Sequence, residues 1–158
     1  MKPYTLIIVS LLAVIDANAQ QPQSFRLVQD GAKGNMLVLT HEGRESRWPL
    51  PYPVYGFAEA DVAGDSLTEC IVGVVKPTRY DTVPRRRLFI FHQVEGHIRP
   101  LWMGSRLGVP IDSFRCERQR RSILVYTHKP DGTTARAEYR YGDFGLQFHR
   151  WLTQGEER

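Results

Sequence analysis

All three tryptophans of the chain stand at the end of the same short pattern. The pieces MLVLTHEGRESRW, LFIFHQVEGHIRPLW and AEYRYGDFGLQFHRW each read as a strand, a hairpin carrying a glycine, and a second strand closed by tryptophan. Gly43, Gly96 and Gly145 precede Trp48, Trp102 and Trp151 by 5, 6 and 6 positions, and successive tryptophans lie 54 and 49 residues apart. A small strand unit of this kind cannot bury its own apolar face. Units that recur must therefore cover one another.

The strands between these landmarks follow from composition and parity. Phe25–Val28, Met36–Thr40 and Arg44–Trp48 read as strands of a first unit, and the prolines at 49, 51 and 53 make the next piece a connector. Val54–Val62 alternates small and large residues. Glu69–Val75 and Leu88–Phe91 are apolar at odd and even positions alike, which requires cover on both faces. Ile98–Met103 closes that unit. Pro110–Cys116, Ser122–Thr127, Ala135–Tyr141 and Leu146–Leu152 supply the last one, and Ala135–Tyr141 alternates charge with apolar bulk as a half-exposed strand does. The expectation is an all-β domain of antiparallel, four-stranded, propeller-blade-like units of about 50 residues, spanning 24–53, 54–108 and 109–153. Fewer than three full blades fit, so the propeller is expected to be open or incomplete, or to close by association with copies or a partner.

The N-terminus reads as an export signal, residues 1–19. Lys2 gives a positive start, Leu6–Val14 an apolar run too short to span a bilayer, and Ala17-Asn18-Ala19 a small-x-small cleavage site. Cleavage after Ala19 leaves 139 residues, 20–158, a normal size for one domain. The expected location is periplasmic or extracellular, with no transmembrane segment in the mature chain. Lys and Arg number 21 against 17 Asp and Glu, a net charge of +4. That excess is too small to imply nucleic acid, which an exported chain does not ordinarily meet. Cys70 and Cys116 are the only cysteines. In an oxidising compartment they can pair as a disulfide, or each can sit unpaired among buried strand residues.

Residues Asp61-Val62-Ala63-Gly64-Asp65-Ser66-Leu67-Thr68-Glu69, followed by Cys70-Ile71-Val72-Gly73, resemble the FG-GAP/VCBS type of propeller repeat. In that family an acidic glycine loop sits between two strands and often holds calcium through oxygens at alternate positions. The resemblance implies Asp61, Asp65 and Glu69 as candidate ligands. The chain departs from the pattern at Ala63, which cannot coordinate, and at Ser66, where glycine is usual. The alternative reading is an acidic turn whose carboxylates accept hydrogen bonds from backbone N–H groups.

Two arginine clusters stand out. Arg85, Arg86 and Arg87 follow Lys76 and Arg79, while Arg118, Arg120 and Arg121 follow Arg115. If the units stack, these clusters can share a rim and attract phosphate, sulfate or carboxylate groups of an envelope polymer. Tyr52, Tyr55, Tyr80 and the tryptophans are candidate stacking platforms for sugar rings, with core packing the preferred role for the tryptophans. The five histidines are dispersed, and no GxSxG elbow or HExxH pair is present. The sequence therefore points to an exported, non-enzymatic binding or assembly module of the cell envelope, acting on a protein, glycan or polyanion or on copies of itself. A carbohydrate- or small-ligand-binding sandwich or barrel is the second reading, and an envelope hydrolase the third.

Overall fold

The computed structural model describes residues 23–29, 34–104 and 106–153. The export signal read at 1–19 lies outside the described residues. The described chain is all β, with eleven strands and no helix, so no helix is long and apolar enough to cross a membrane. The strands are β1 (Ser24–Gln29), β2 (Asn35–His41), β3 (Arg44–Leu50), β4 (Val54–Ala60), β5 (Glu69–Lys76), β6 (Arg85–Val94), β7 (His97–Trp102), β8 (Ser113–Glu117), β9 (Ser122–His128), β10 (Thr134–Gly142) and β11 (Gly145–Trp151). They form three antiparallel meanders: β1-β2-β3, β4-β5-β6-β7 and β8-β9-β10-β11. The first sheet has three strands rather than the four expected.

The middle sheet is sandwiched, as the two-faced apolarity of β5 and β6 requires. Cys70, Val72, Val74, Phe89 and Phe91 point to the first sheet and meet Phe25, Leu37, Leu39 and Leu50. Ile71, Leu88 and Ile90 point the other way and meet Ile123, Val125, Ala137 and Tyr139 of the third sheet. Two glycines of the middle sheet, Gly56 and Gly73, make room for two aromatic rings in this second layer, Tyr55 of β4 and Phe114 of β8. A Cβ on Gly73 would lie 2.6 Å from the Tyr55 ring and 2.8 Å from Phe114, and one on Gly56 would lie 2.6 Å from Phe114. Tyr55 and Phe114 meet edge to face at 6.0 Å, locking β4 against β8.

Two expectations about strand limits are corrected. Pro49 does not end β3, because Met36 pairs with Pro49 and Asn35 with Leu50. As β3 is an edge strand, the missing N–H costs no ladder bond. The strand expected at Leu88–Phe91 begins earlier: Arg85–Arg87 pairs with Val74–Lys76 as the first part of β6.

Both ends of the stack are closed by charge. On the outward face of the first sheet, Val38 is buried between its cross-strand neighbours Arg26 and Arg47, and Glu45 pairs with both arginines. On the outward face of the third sheet, Glu138 is fully buried and accepts from Arg150 Nε at 2.8 Å and Arg140 Nη2 at 3.1 Å, beside buried Leu124. The charge alternation of Arg136–Arg140 thus lines the outward face of an interior strand.

Burial pushes the Glu138 carboxyl up, but the hydrogen bonds from Arg150 and Arg140 outweigh it and hold the group below its ordinary value. A carboxylate depressed in the folded state adds stability above its unfolded pKa, about 4.3. That contribution is lost as pH falls through the lower folded value. Acid titration of the melting temperature should therefore show a fall below about pH 4 that is shallower in Glu138→Gln.

Candidate functional site

The first candidate from sequence, the acidic loop between β4 and β5, is held by backbone hydrogen bonds. Asp61 accepts from the N–H groups of Gly64 and Ser66 at 2.6 and 3.1 Å, and Asp65 accepts from Leu67 at 2.9 Å. Glu69, buried at the start of β5, accepts through one oxygen from Val62 and Ala63 at 2.8 and 3.0 Å. Burial pushes its carboxyl up by more than those two amides bring it down. The three carboxylates do not converge, and among the described residues no group of three acidic, histidine or cysteine side chains is placed to hold a metal ion. Their lone pairs organise the turn instead. Asp61→Ala should cost about 0.5–1.5 kcal/mol, the usual net worth of hydrogen bonds whose freed amides water can reach, whereas chelation should leave the melting temperature of the wild-type protein unchanged.

Of the two readings that the cysteines allow, the structure has the unpaired one. Both cysteines are free thiols. Cys70 faces the layer under the first sheet, while Cys116 packs into the layer between the middle and third sheets. Burial pushes both thiols up, Cys116 to about 12. Titration with a thiol reagent should find two free thiols in the unfolded chain without reductant, and slow reaction in the folded one.

The two arginine clusters lie at opposite ends of the sheets and do not share a rim. Arg86 donates to the carbonyl of Asp112, just before β8, and its guanidinium lies 5.1 Å from the centre of the Tyr55 ring. At the far end of β8, Arg121 pairs with Asp61 at 3.6 Å and donates to the Gly64 carbonyl. It therefore serves the acidic turn. Arg118 lines a shallow hollow beside Glu59 and Asp61, and Arg120 occupies the same β8–β9 turn. In the first cluster Arg87 is buried, donating to the Lys76 carbonyl and lying 3.6 Å from Asp81, which also pairs with Arg85 at 2.7 Å.

Two clefts flank the 106–110 linker, where the chain passes from the middle sheet to the third. On one side of it is a basic cleft of about 390 Å³ walled by Arg85, Arg86, Arg87, Arg106 and the Asp112–His128 pair, whose members are 2.9 Å apart. On the other side is an aromatic cleft, also about 390 Å³, walled by Trp102, Tyr139, Phe144, Phe148 and Trp151. Arg106, Leu107 and Val109 line both, so the two form one groove with Arg106 at the join.

The sequence offers the tryptophans as sugar platforms but does not single out Trp151 or point to Phe144 and Phe148, because spacing makes the three tryptophans look equivalent. Trp48 and Trp102 are: Trp48 pairs with Leu37 and Trp102 with Ile90, so each faces the following sheet and packs into its layer. Trp151 pairs instead with Ala137, on the opposite face, and its neighbour Arg150 takes the outward position against Glu138. At the free edge of the third sheet Trp151 is 47% exposed, Phe148 49% and Phe144 92%. Phe148 sits between Tyr139, edge to face at 5.8 Å, and Trp151, tilted by 60° at 5.4 Å, and these contacts fix the shelf. The turn above it depends on Gly145, whose φ is +100 and whose Cβ position is filled by the Trp102 indole.

No family model matches the chain, no curated protein matches it, and no solved structure matches it.

Proposed function

We propose that this protein is an exported, non-enzymatic binding module of the cell envelope, built from three propeller-blade-like sheets and using the groove along the 106–110 linker as its ligand site. The strand order and direction repeat from sheet to sheet, with β4 against β8 at one margin and β7 against β3 and β11 at the other. This supports the blade-like reading. The ion-paired outer faces of the first and third sheets favour a stack that ends at three sheets, since further copies would have to bury those charges.

One observation carries the assignment: an exposed aromatic shelf and a cluster of arginines border the same groove. Large apolar rings left in water at a concave edge mark a binding surface. Of the groups a hydrolase would need, the Asp112–His128 pair is present in the basic cleft, but among the described residues no Ser, Thr or Cys lines it. The groove's side chains favour holding a ligand over transforming one.

Gly108 supplies the test. It lies in the aromatic wall, has open space where a side chain would go, and is not among the glycines with positive φ. In a screen of envelope polymers and proteins, the wild-type chain should retain at least one ligand that Gly108→Trp loses with an unchanged melting temperature. Binding that weakens only partly as salt rises is expected from a site that joins charge to aromatic contact. A ligand that Gly108→Trp binds as well as wild type does would place the site elsewhere.

A further inference from the structure

On the binding-module reading, we propose that the groove takes an acidic sugar polymer, with a ring face on the Phe148–Trp151 shelf and a carboxylate of the polymer at Arg106. The shelf sets the first requirement. Phe148 and Trp151 are held at 5.4 Å and tilted by 60°, and each leaves about half its surface in water. Such rings take up the apolar C–H face of a sugar while the hydroxyls stay hydrated.

Arg106 sets the second requirement. It is exposed at the join of the two clefts, and among the described residues no ion pair holds its guanidinium. Beyond it the charge is unbalanced. Arg85 and Arg87 share Asp81, Asp112 is occupied by His128, and Arg86 is spent on a neutral carbonyl and the Tyr55 ring. The basic half of the groove therefore keeps a net positive charge that an anion would complement. A carboxylate matches the planar fork of a guanidinium.

The layout sets the third requirement. Two clefts in series around one linker suit a chain of repeated units, one ring on the shelf and further anionic groups along the arginines. A compact anion such as phosphate would use the basic half alone. A neutral sugar would use the shelf alone.

The experiment measures binding of the full exported chain to polygalacturonate, alginate and hyaluronan oligosaccharides by tryptophan fluorescence and calorimetry. Dextran, polyphosphate and an oligothymidylate serve as comparison ligands. At least one acidic sugar should bind 10-fold or more tightly than any comparison ligand. Arg106→Ala and Trp151→Ala should each weaken that binding 10-fold or more, and Phe144→Ser gives a second shelf variant at a nearly fully exposed position, expected to weaken binding several-fold, that does not depend on Trp151→Ala folding. Polyphosphate binding that matches the acidic sugars and survives Trp151→Ala would overturn the proposal. So would dextran binding that survives Arg106→Ala, tighter binding of the oligothymidylate, or no binding of any acidic sugar. In each of these cases a different ligand that Gly108→Trp still excludes would leave the binding-module reading standing.

Discussion

The fold depends on the middle sheet being dry on both sides. In β5 the residues from Glu69 to Val74 are all buried, and in β6 those from Arg87 to Phe91. Alternate residues of a strand point to opposite faces, so neither strand can exist at the surface of a two-layer protein. The first and third sheets satisfy this requirement, one on each side. Burial of Phe89, Phe91, Ile71, Leu88 and Ile90 contributes about 1.5–3 kcal/mol per side chain relative to leaving it in water. The outer sheets need only one apolar face each. Their other faces are free to carry charge, and the Arg26–Glu45–Arg47 and Arg140–Glu138–Arg150 groups do so. Neither group adds much net stability, because solvent screens the exposed Arg26–Glu45–Arg47 group and desolvation offsets most of the attraction at buried Glu138. Their consequence is to make the outer faces unsuitable for a fourth sheet.

Much of this was legible in the sequence, because parity is a strong signal. The two-faced runs announced a central sheet, and the alternation of Arg136–Tyr141 announced a one-faced strand. What failed were inferences from residue type without register. The arginines ahead of Leu88 carry no apolar parity to mark the start of β6, yet Arg87 is buried through its bonds to Lys76 and Asp81. Of the two readings of the acidic turn, the structure has the one in which the carboxylates accept from backbone N–H groups. Sequence spacing could not decide between these uses of the same oxygens.

The tryptophans show most clearly why register matters. In the first two hairpins the turn residues are Glu42-Gly43 and Glu95-Gly96, all four with positive φ, a geometry that joins strands through two residues. Trp48 follows its turn through an unbroken ladder, and Trp102 follows through one extra residue taken up by a bulge near Ile90. Spacings of 5 and 6 therefore reach the same face. In the third hairpin the turn is Asp143-Phe144, and Gly145 already belongs to β11. With the glycine displaced by one residue and a bulge again present, the same spacing of 6 puts Trp151 on the other face. A shift of one residue exchanges the two faces of a strand.

That displacement links the end of the stack to the candidate site. Had Trp151 kept the place of Trp102, it would lie on the outward face of the third sheet, which no other sheet covers among the described residues. Arg150 occupies that place and neutralises Glu138, so the outward face is closed. The indole is moved to the inner face at the free edge, beyond the cover of the middle sheet. There it meets Phe148, Trp102 and the linker that carries Arg106. The same one-residue change that caps the last sheet exposes an aromatic shelf beside a basic cleft, so the groove follows from how the stack terminates.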